Sequence, residues 1–185
     1  MRFSCKLSIT MSSIRGNTKR NEKRVLLVNG LLRCFFYLAA IGLILFLLGR
    51  LIPKKWMLYD RFPYRSFSFE KNGKIYQALG IHRWREKLPD MSKILPVMMP
   101  SKKLPKRATA TQLERMVQET CVAELVHNLL CVLGVGCVFL WKGAGGWIIA
   151  LFYMAGNIPF SIIQRYNRPK LIQIMERLKT REEKE

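Results

Sequence analysis

Apolar residues along this chain are clumped, not periodic. Leu125 to Trp141 and Gly143 to Gln164 contain no formally charged residue, and Cys34 to Gly49 forms a third apolar run that Val25–Leu32 extends upstream, with only Arg33 between. A bilayer's hydrocarbon core takes about 20 apolar residues of helix to cross, so the pattern predicts an all-α membrane protein with three membrane segments. The boundaries follow from the flanking composition. Residues 1–24 are rich in Ser, Asn, Lys and Arg and read as a basic, disordered arm. Residues 25–52 are the first membrane segment, stopped by Pro53; 53–110 form a basic, aromatic-rich interfacial region; 111–168 form a helical hairpin. Pro169 then opens an amphipathic basic tail, 169–185, carrying Leu171, Ile174, Met175 and Leu178.

Between Trp56 and Trp84 eight aromatic residues alternate with bases, a mixture that favours the headgroup level of a membrane. Asn72-Gly73 supplies a turn, after which Lys74 to Lys87 is predicted as one short helix lying in the interface. Pro89, Pro96, Pro100 and Pro105 make the next stretch a loop. Helix resumes near Thr111, a candidate N-cap with Glu114 three residues on. The first segment leaves three paths open, because Asn29-Gly30 and Arg33 interrupt it. It spans with the basic arm outside, or takes a re-entrant or interfacial path, or begins with an upstream extension before a start such as Met11. No small-x-small cleavage site follows it, so it is not read as a signal peptide.

Charge refines this picture. The chain carries a formal charge of +20 beside 50% hydrophobic residues. Eight bases precede Cys34, sixteen lie from Arg50 to Arg115, Lys142 stands alone between the last two apolar runs, and seven follow Gln164. By the positive-inside rule, Lys142 marks the external tip of the hairpin. Bases placed around membrane segments match anionic headgroups. No helix-turn-helix, finger or RNA-binding signature accompanies them, so nucleic acid is not a predicted partner. The five cysteines, Cys5, Cys34, Cys121, Cys131 and Cys137, include no CxxC pair and read as small apolar packing residues.

Candidate chemistry concentrates in Glu119-Thr-Cys-Val-Ala-Glu124-Leu-Val-His127, at the entrance to an apolar run. Ionisable groups are costly there and default to a functional hypothesis. Glu124 and His127 are spaced i,i+3, and Thr120 shares their face, so a carboxylate is predicted beside an imidazole that it would hold as a general base. Glu-x-x-His is also a di-iron ligand motif, but such sites use two copies. The only other histidine is His82, with Leu79 where a glutamate would be needed, so no metal is expected.

Three further pieces accompany this run: Asn157-Ile-Pro159, then Gln164-Arg-Tyr-Asn-Arg-Pro169, and upstream Ser66-Phe-Ser-Phe-Glu70-Lys71 followed by Gly73-Lys74, with Ile52-Pro53, Trp84 and Lys87. Together, over roughly residues 50 to 180, they resemble the glycosyl-4,4'-diaponeurosporenoate acyltransferases of staphyloxanthin-type carotenoid synthesis. The resemblance implies transfer of a fatty acyl group from a donor such as acyl-CoA or acyl-carrier protein onto a sugar hydroxyl of a membrane glycolipid. It implies no metal or prosthetic cofactor, and a multi-pass place in a bacterial cytoplasmic membrane. In that reading His127 is the base and Glu124 orients it. Asn157 and Gln164 donate hydrogen bonds to the sugar or the oxyanion, beside Asn167, and Arg165 and Arg168 grip donor phosphates. Against this, Arg165, Arg168 and Lys170 are also the ordinary cytoplasmic anchor of a span. Glu119 either orients one of those arginines or faces water. Trp84 and Lys87 are substrate contacts or interfacial anchors. A non-catalytic subunit that presents a glycolipid to another enzyme is the alternative from a different class.

Overall fold

The computed structural model describes residues 2–88 and 108–184. The proline-rich loop predicted around Pro89 to Pro105 lies outside them. All regular structure among the described residues is helical. Helix α1 runs Arg2–Leu51, α2 Lys74–Ala78, α3 Ile81–Trp84, α4 Ala110–Gly134, α5 Cys137–Leu140 and α6 Ala144–Glu182. Three stretches are long and apolar enough to cross a membrane: Lys19–Leu51, Ala110–Leu140 and Ala144–Glu182. The chain is an all-α membrane protein.

Helix α1 differs from expectation at both ends of its basic arm. Its backbone is helical from Arg2, where disorder was predicted, and it passes through Asn29-Gly30 and Arg33 without a break. Extending a helix already nucleated by an apolar span fixes one residue per added hydrogen bond, which is far cheaper than starting one. Gly30 has a packing reason: a Cβ there would fall 2.6 Å from the ring of Trp141. Helix α1 docks on the hairpin elsewhere through Tyr37, whose hydroxyl donates to the Leu133 carbonyl at 2.8 Å, and through Cys34, buried with Cys137 and Ala150.

The N-cap of α4 lies two residues before the predicted one. Thr109 is the N-cap: its hydroxyl accepts from the Gln112 N–H, and the Gln112 side chain accepts from the Thr109 N–H, both at 3.2 Å. The sequence offers two overlapping capping boxes, and the earlier one buries Ala110. Lys142 stands exposed in the turn from α5 to α6, where Gly143 takes φ +95°. Helix α6 then continues to Glu182 with Pro159 and Pro169 inside it, so the tail is no separate helix. Each proline removes one intrahelical donor. Antiparallel packing on α4 holds the rod together, from Gly134 against Tyr153 to Glu114 beside Lys179 at 3.5 Å.

The interfacial region folds back over one end of this hairpin. The single helix predicted over Lys74 to Lys87 is split at Gly80, whose φ of +68° ends α2 and lets α3 start in a new direction. Gly73, at φ +90°, forms the predicted turn and lies against the backbone of Tyr166. Tyr76 and Ile81 close a small core with Tyr166, flanked by Trp84, Ile162 and Ile163.

Candidate active site

Polar residues occupy the seam between α4 and α6 in register. From the interfacial end inward come Thr120 with Arg168, Glu124 with Arg165 and Arg168, Asn128 with Ser161, and His127 with Asn157. The helical repeat puts each set about one turn from the next.

His127 lies deepest of the ionisable members. Its Nδ1 is 3.0 Å from the Asn157 Oδ1, and its ring stacks on Phe160 with centroids 4.9 Å apart and planes 13° from parallel. The Asn157 amide nitrogen donates to the Tyr153 carbonyl at 2.9 Å. A carbonyl can only accept, so the Asn157 orientation is fixed with its oxygen toward the ring. Nδ1 is then the donor, and in the neutral imidazole the lone pair sits on Nε2.

Glu124 is not the group that orients this ring at Nδ1. It is 3% exposed, and its two oxygens receive donors from Arg165 Nη1 at 2.6 Å and Arg168 Nη2 at 2.5 Å. Two guanidiniums stabilise a buried carboxylate far better than one imidazole one turn away, and α6 delivers both. The same contacts remove the arginines from the role of gripping donor phosphates. Arg168, 2% exposed, also donates to the Tyr64 carbonyl, the Thr120 carbonyl and the Thr120 hydroxyl. Arg165 spends its remaining donors on Glu70 and on the carbonyls of Pro63 and Arg65.

Glu70, absent from the predicted site, is the fourth member of this charge cluster. It is 2% exposed and accepts from Arg165 Nε at 2.6 Å, the Tyr76 hydroxyl at 2.5 Å and the Phe67 N–H at 2.8 Å. Burial pushes its carboxyl up. The hydrogen bonds from Arg165, Tyr76 and Phe67, with the charge of Arg165, outweigh burial and hold it below the usual carboxylate range. Tyr76 moves the other way: burial and its bond to Glu70 push the phenol up to about 12. Glu70 carried a sequence signal, one of two acids with Asp60 amid the aromatics and bases from Trp56 to Trp84, yet its partner lies 95 positions away.

The other predicted residues separate into three places. Gln164 is buried in the seam at 5% exposure. Asn157 is in the site as the partner of His127, with its amide nitrogen used internally instead of facing a sugar. Asn167 is half-buried. Glu119 neither orients an arginine of α6 nor faces water alone: it pairs with Lys54 and lies 3.8 Å from Arg115. Trp84 packs beside Ile81 and Tyr166, its indole N–H donating to the Leu79 carbonyl at 3.3 Å, and Lys87 is exposed. Asn128 and Ser161, joined at 2.7 Å, lie outside the predicted site although each is a polar residue inside an apolar run.

The sequence model of the glycosyl-4,4'-diaponeurosporenoate acyltransferase family matches residues 55–177, a stretch that contains the whole seam and its cover. The chain belongs to this family. Relatives named glycosyl-4,4'-diaponeurosporenoate acyltransferase in Staphylococcus aureus strains MRSA252 and N315 are 32% identical over 154 residues, 82% of this chain and 91% of theirs. The relative in the bovine strain RF122 / ET3-1 is 31% identical over the same length. No solved structure matches the chain. The enzyme is thus an acyltransferase. Among those described, no group of three His, Cys, Asp or Glu side chains is gathered as a metal site would require.

Proposed function

We propose that the enzyme transfers a fatty acyl group from a thioester donor to a sugar hydroxyl of a glycosylated carotenoid acid, glycosyl-4,4'-diaponeurosporenoate, in the bacterial cell membrane. The substrate class comes from the names of the relatives. The observation that carries the chemistry is the His127–Asn157 pair: Asn157 fixes Nδ1 as donor and leaves the lone pair on Nε2. His127 is the general base. Nε2 takes the proton of the acceptor hydroxyl as its oxygen attacks the thioester carbonyl carbon and a C–O bond forms. The carbonyl electrons move onto oxygen, where the amide of Gln164 donates to the oxyanion. Collapse breaks the C–S bond, and the imidazolium returns its proton to the departing sulfur. Ester and free thiol result, with no net change in the protonation of the enzyme. The Glu70–Arg165–Glu124–Arg168 cluster acts by position: it fixes α6 against α4 so that Asn157 meets His127.

Such base catalysis is worth about 10²–10⁴-fold in rate. His127→Gln should therefore remove at least about 10²-fold of ester formation in membranes supplied with donor and glycolipid, with protein abundance unchanged. Ester yield equal to wild type would sink the assignment of His127 and favour a lipid-presenting subunit.

A further inference from the structure

A second cluster of basic side chains lies outside the seam, around Tyr166. This ring is 0% exposed, and its hydroxyl is 2.5 Å from Lys170 Nζ and 3.1 Å from His82 Nε2. Lys170 Nζ sits 3.8 Å from the ring centroid and Arg85 Cζ 5.9 Å from it. The contrast with the seam lies in compensation. Arg165 and Arg168 face two buried carboxylates, whereas among the described residues no ion pair reaches Lys170 or His82. Arg85 has only a 4.0 Å contact to Glu86, a side chain 77% exposed. Lys170 and Arg85, cations brought to one ring without close counter-charges, repel one another, and a bound anion removes that cost.

We propose that Lys170, Arg85 and His82 form the phosphate end of the acyl-donor site, taking the phosphates of a pantetheine carrier. The inference rests on the acyl-transfer reading, and distance joins the two sites. Lys170 lies thirteen residues beyond Asn157 on α6, about 20 Å at the helical rise per residue. A pantetheine arm reaches about that far between its phosphate and its sulfur. A donor anchored at Lys170 would thus span the axial distance to His127 while crossing about 140° around α6, the angle that thirteen residues leave between Lys170 and Asn157. The arginines of α6 are held by carboxylates, so these less compensated cations take the role that Arg165 and Arg168 cannot.

The test measures binding by the full chain in nanodiscs, with coenzyme A, 4'-phosphopantetheine and pantetheine as probes. Wild type should bind coenzyme A and 4'-phosphopantetheine at least about tenfold more tightly than pantetheine, the scale of one charge-assisted hydrogen bond. Lys170→Gln with Arg85→Gln should erase that preference while leaving pantetheine affinity unchanged. Arg85→Gln alone should erase part of it, and Lys170→Arg should keep it. No preference for the phosphate-bearing probes in wild type, or a preference that survives in the double variant, overturns the proposal. Measurement in phosphatidylcholine discs and again with added phosphatidylglycerol separates the sources: complete displacement of coenzyme A by the anionic lipid would assign these cations to headgroups and overturn it too. His127→Gln should retain the phosphate preference, so loss of the base assignment and loss of this site register in different assays.

Discussion

Replacing Glu124 by Gln would leave Arg165 and Arg168 facing a neutral amide at a position only 3% exposed. Breaking a buried ion pair from one side costs about 3–5 kcal/mol, because the partner charge stays buried without its counter-ion. Glu124→Gln should therefore lower the folded yield and the thermal midpoint in detergent sharply, whereas the activity of each surviving molecule falls less. Asn157→Ala should do the reverse. It removes the acceptor that fixes the His127 tautomer, so ester formation should drop roughly 10–100-fold with little change in yield, by analogy with the loss of a group that orients a ligating or catalytic histidine. Equal damage to yield in both variants would refute this division of roles. The residue scale also shows the limit of spacing as a guide. The i,i+3 step placed Glu124 and His127 on one face of α4, and both do face the seam. What occupies the opposite wall is decided by α6, which supplies two guanidiniums beside Glu124 and an amide beside His127. No local pattern encodes that choice.

At the scale of elements, the interfacial segment is fastened by a few strong contacts more than by area. Glu70 ties it to Arg165, with Tyr76 and Phe67 as further donors, and exposed aromatics such as Phe62 and Phe69 point away. The carboxyl of Glu70 is held below its ordinary value of 4.5, so its contribution is fully present above that pH and is lost as pH falls through the lowered value. Tyr76 bounds the alkaline side: raised from 10.0 to about 12, its neutral phenol stabilises docking below 10.0, and that contribution disappears as pH rises through about 12. The protection of residues 62–84 against hydrogen exchange, taken relative to the intrinsic rate at each pH, should thus hold from about pH 5 to about 10 and fall on acidification below the carboxylate range. Glu70→Gln should show fast exchange already at neutral pH. Unchanged protection in that variant would mean that the apolar contacts of Tyr76 and Ile81 suffice. Element existence was plain from the apolar runs, but ends and breaks were not. Two capping boxes overlap at Thr109 and Thr111, and Gly80 breaks a helix that composition alone would continue. Pro159 and Pro169 read as breakers, yet contacts along the whole of α4 keep α6 as a single rod.

For the molecule as a whole, packing direction determines which charges share a side of the membrane. Gly30 of α1 meets Trp141 near the hairpin tip, and Gly49 meets Val122 and Val126 near the start of the α4 apolar run. Helix α1 therefore runs antiparallel to α4, and its end at Leu51 joins the start of α4 and the end of α6 on one side. Lys19, Arg20, Lys23 and Arg24 extend past the tip, on the side of Lys142. The positive-inside rule then compares two unequal sets, the bases from Arg50 to Lys87 and from Arg165 to Lys184 against Lys142 and the N-terminal arm. The larger set should win, which puts the seam's interfacial end and the Tyr166 cluster in the cytoplasm. This agrees with the chemistry independently, because pantetheine thioesters are made and held there. Lys142→Cys should react with a membrane-impermeant maleimide in intact cells, and Lys55→Cys only after permeabilisation. Both variants are made in a Cys5→Ser, Cys131→Ser background, and the remaining native Cys34, Cys121 and Cys137 are buried and should stay silent in both. The opposite labelling pattern would place the donor end on the wrong face of the membrane, and the acyl-transfer geometry would then lack a supply of substrate.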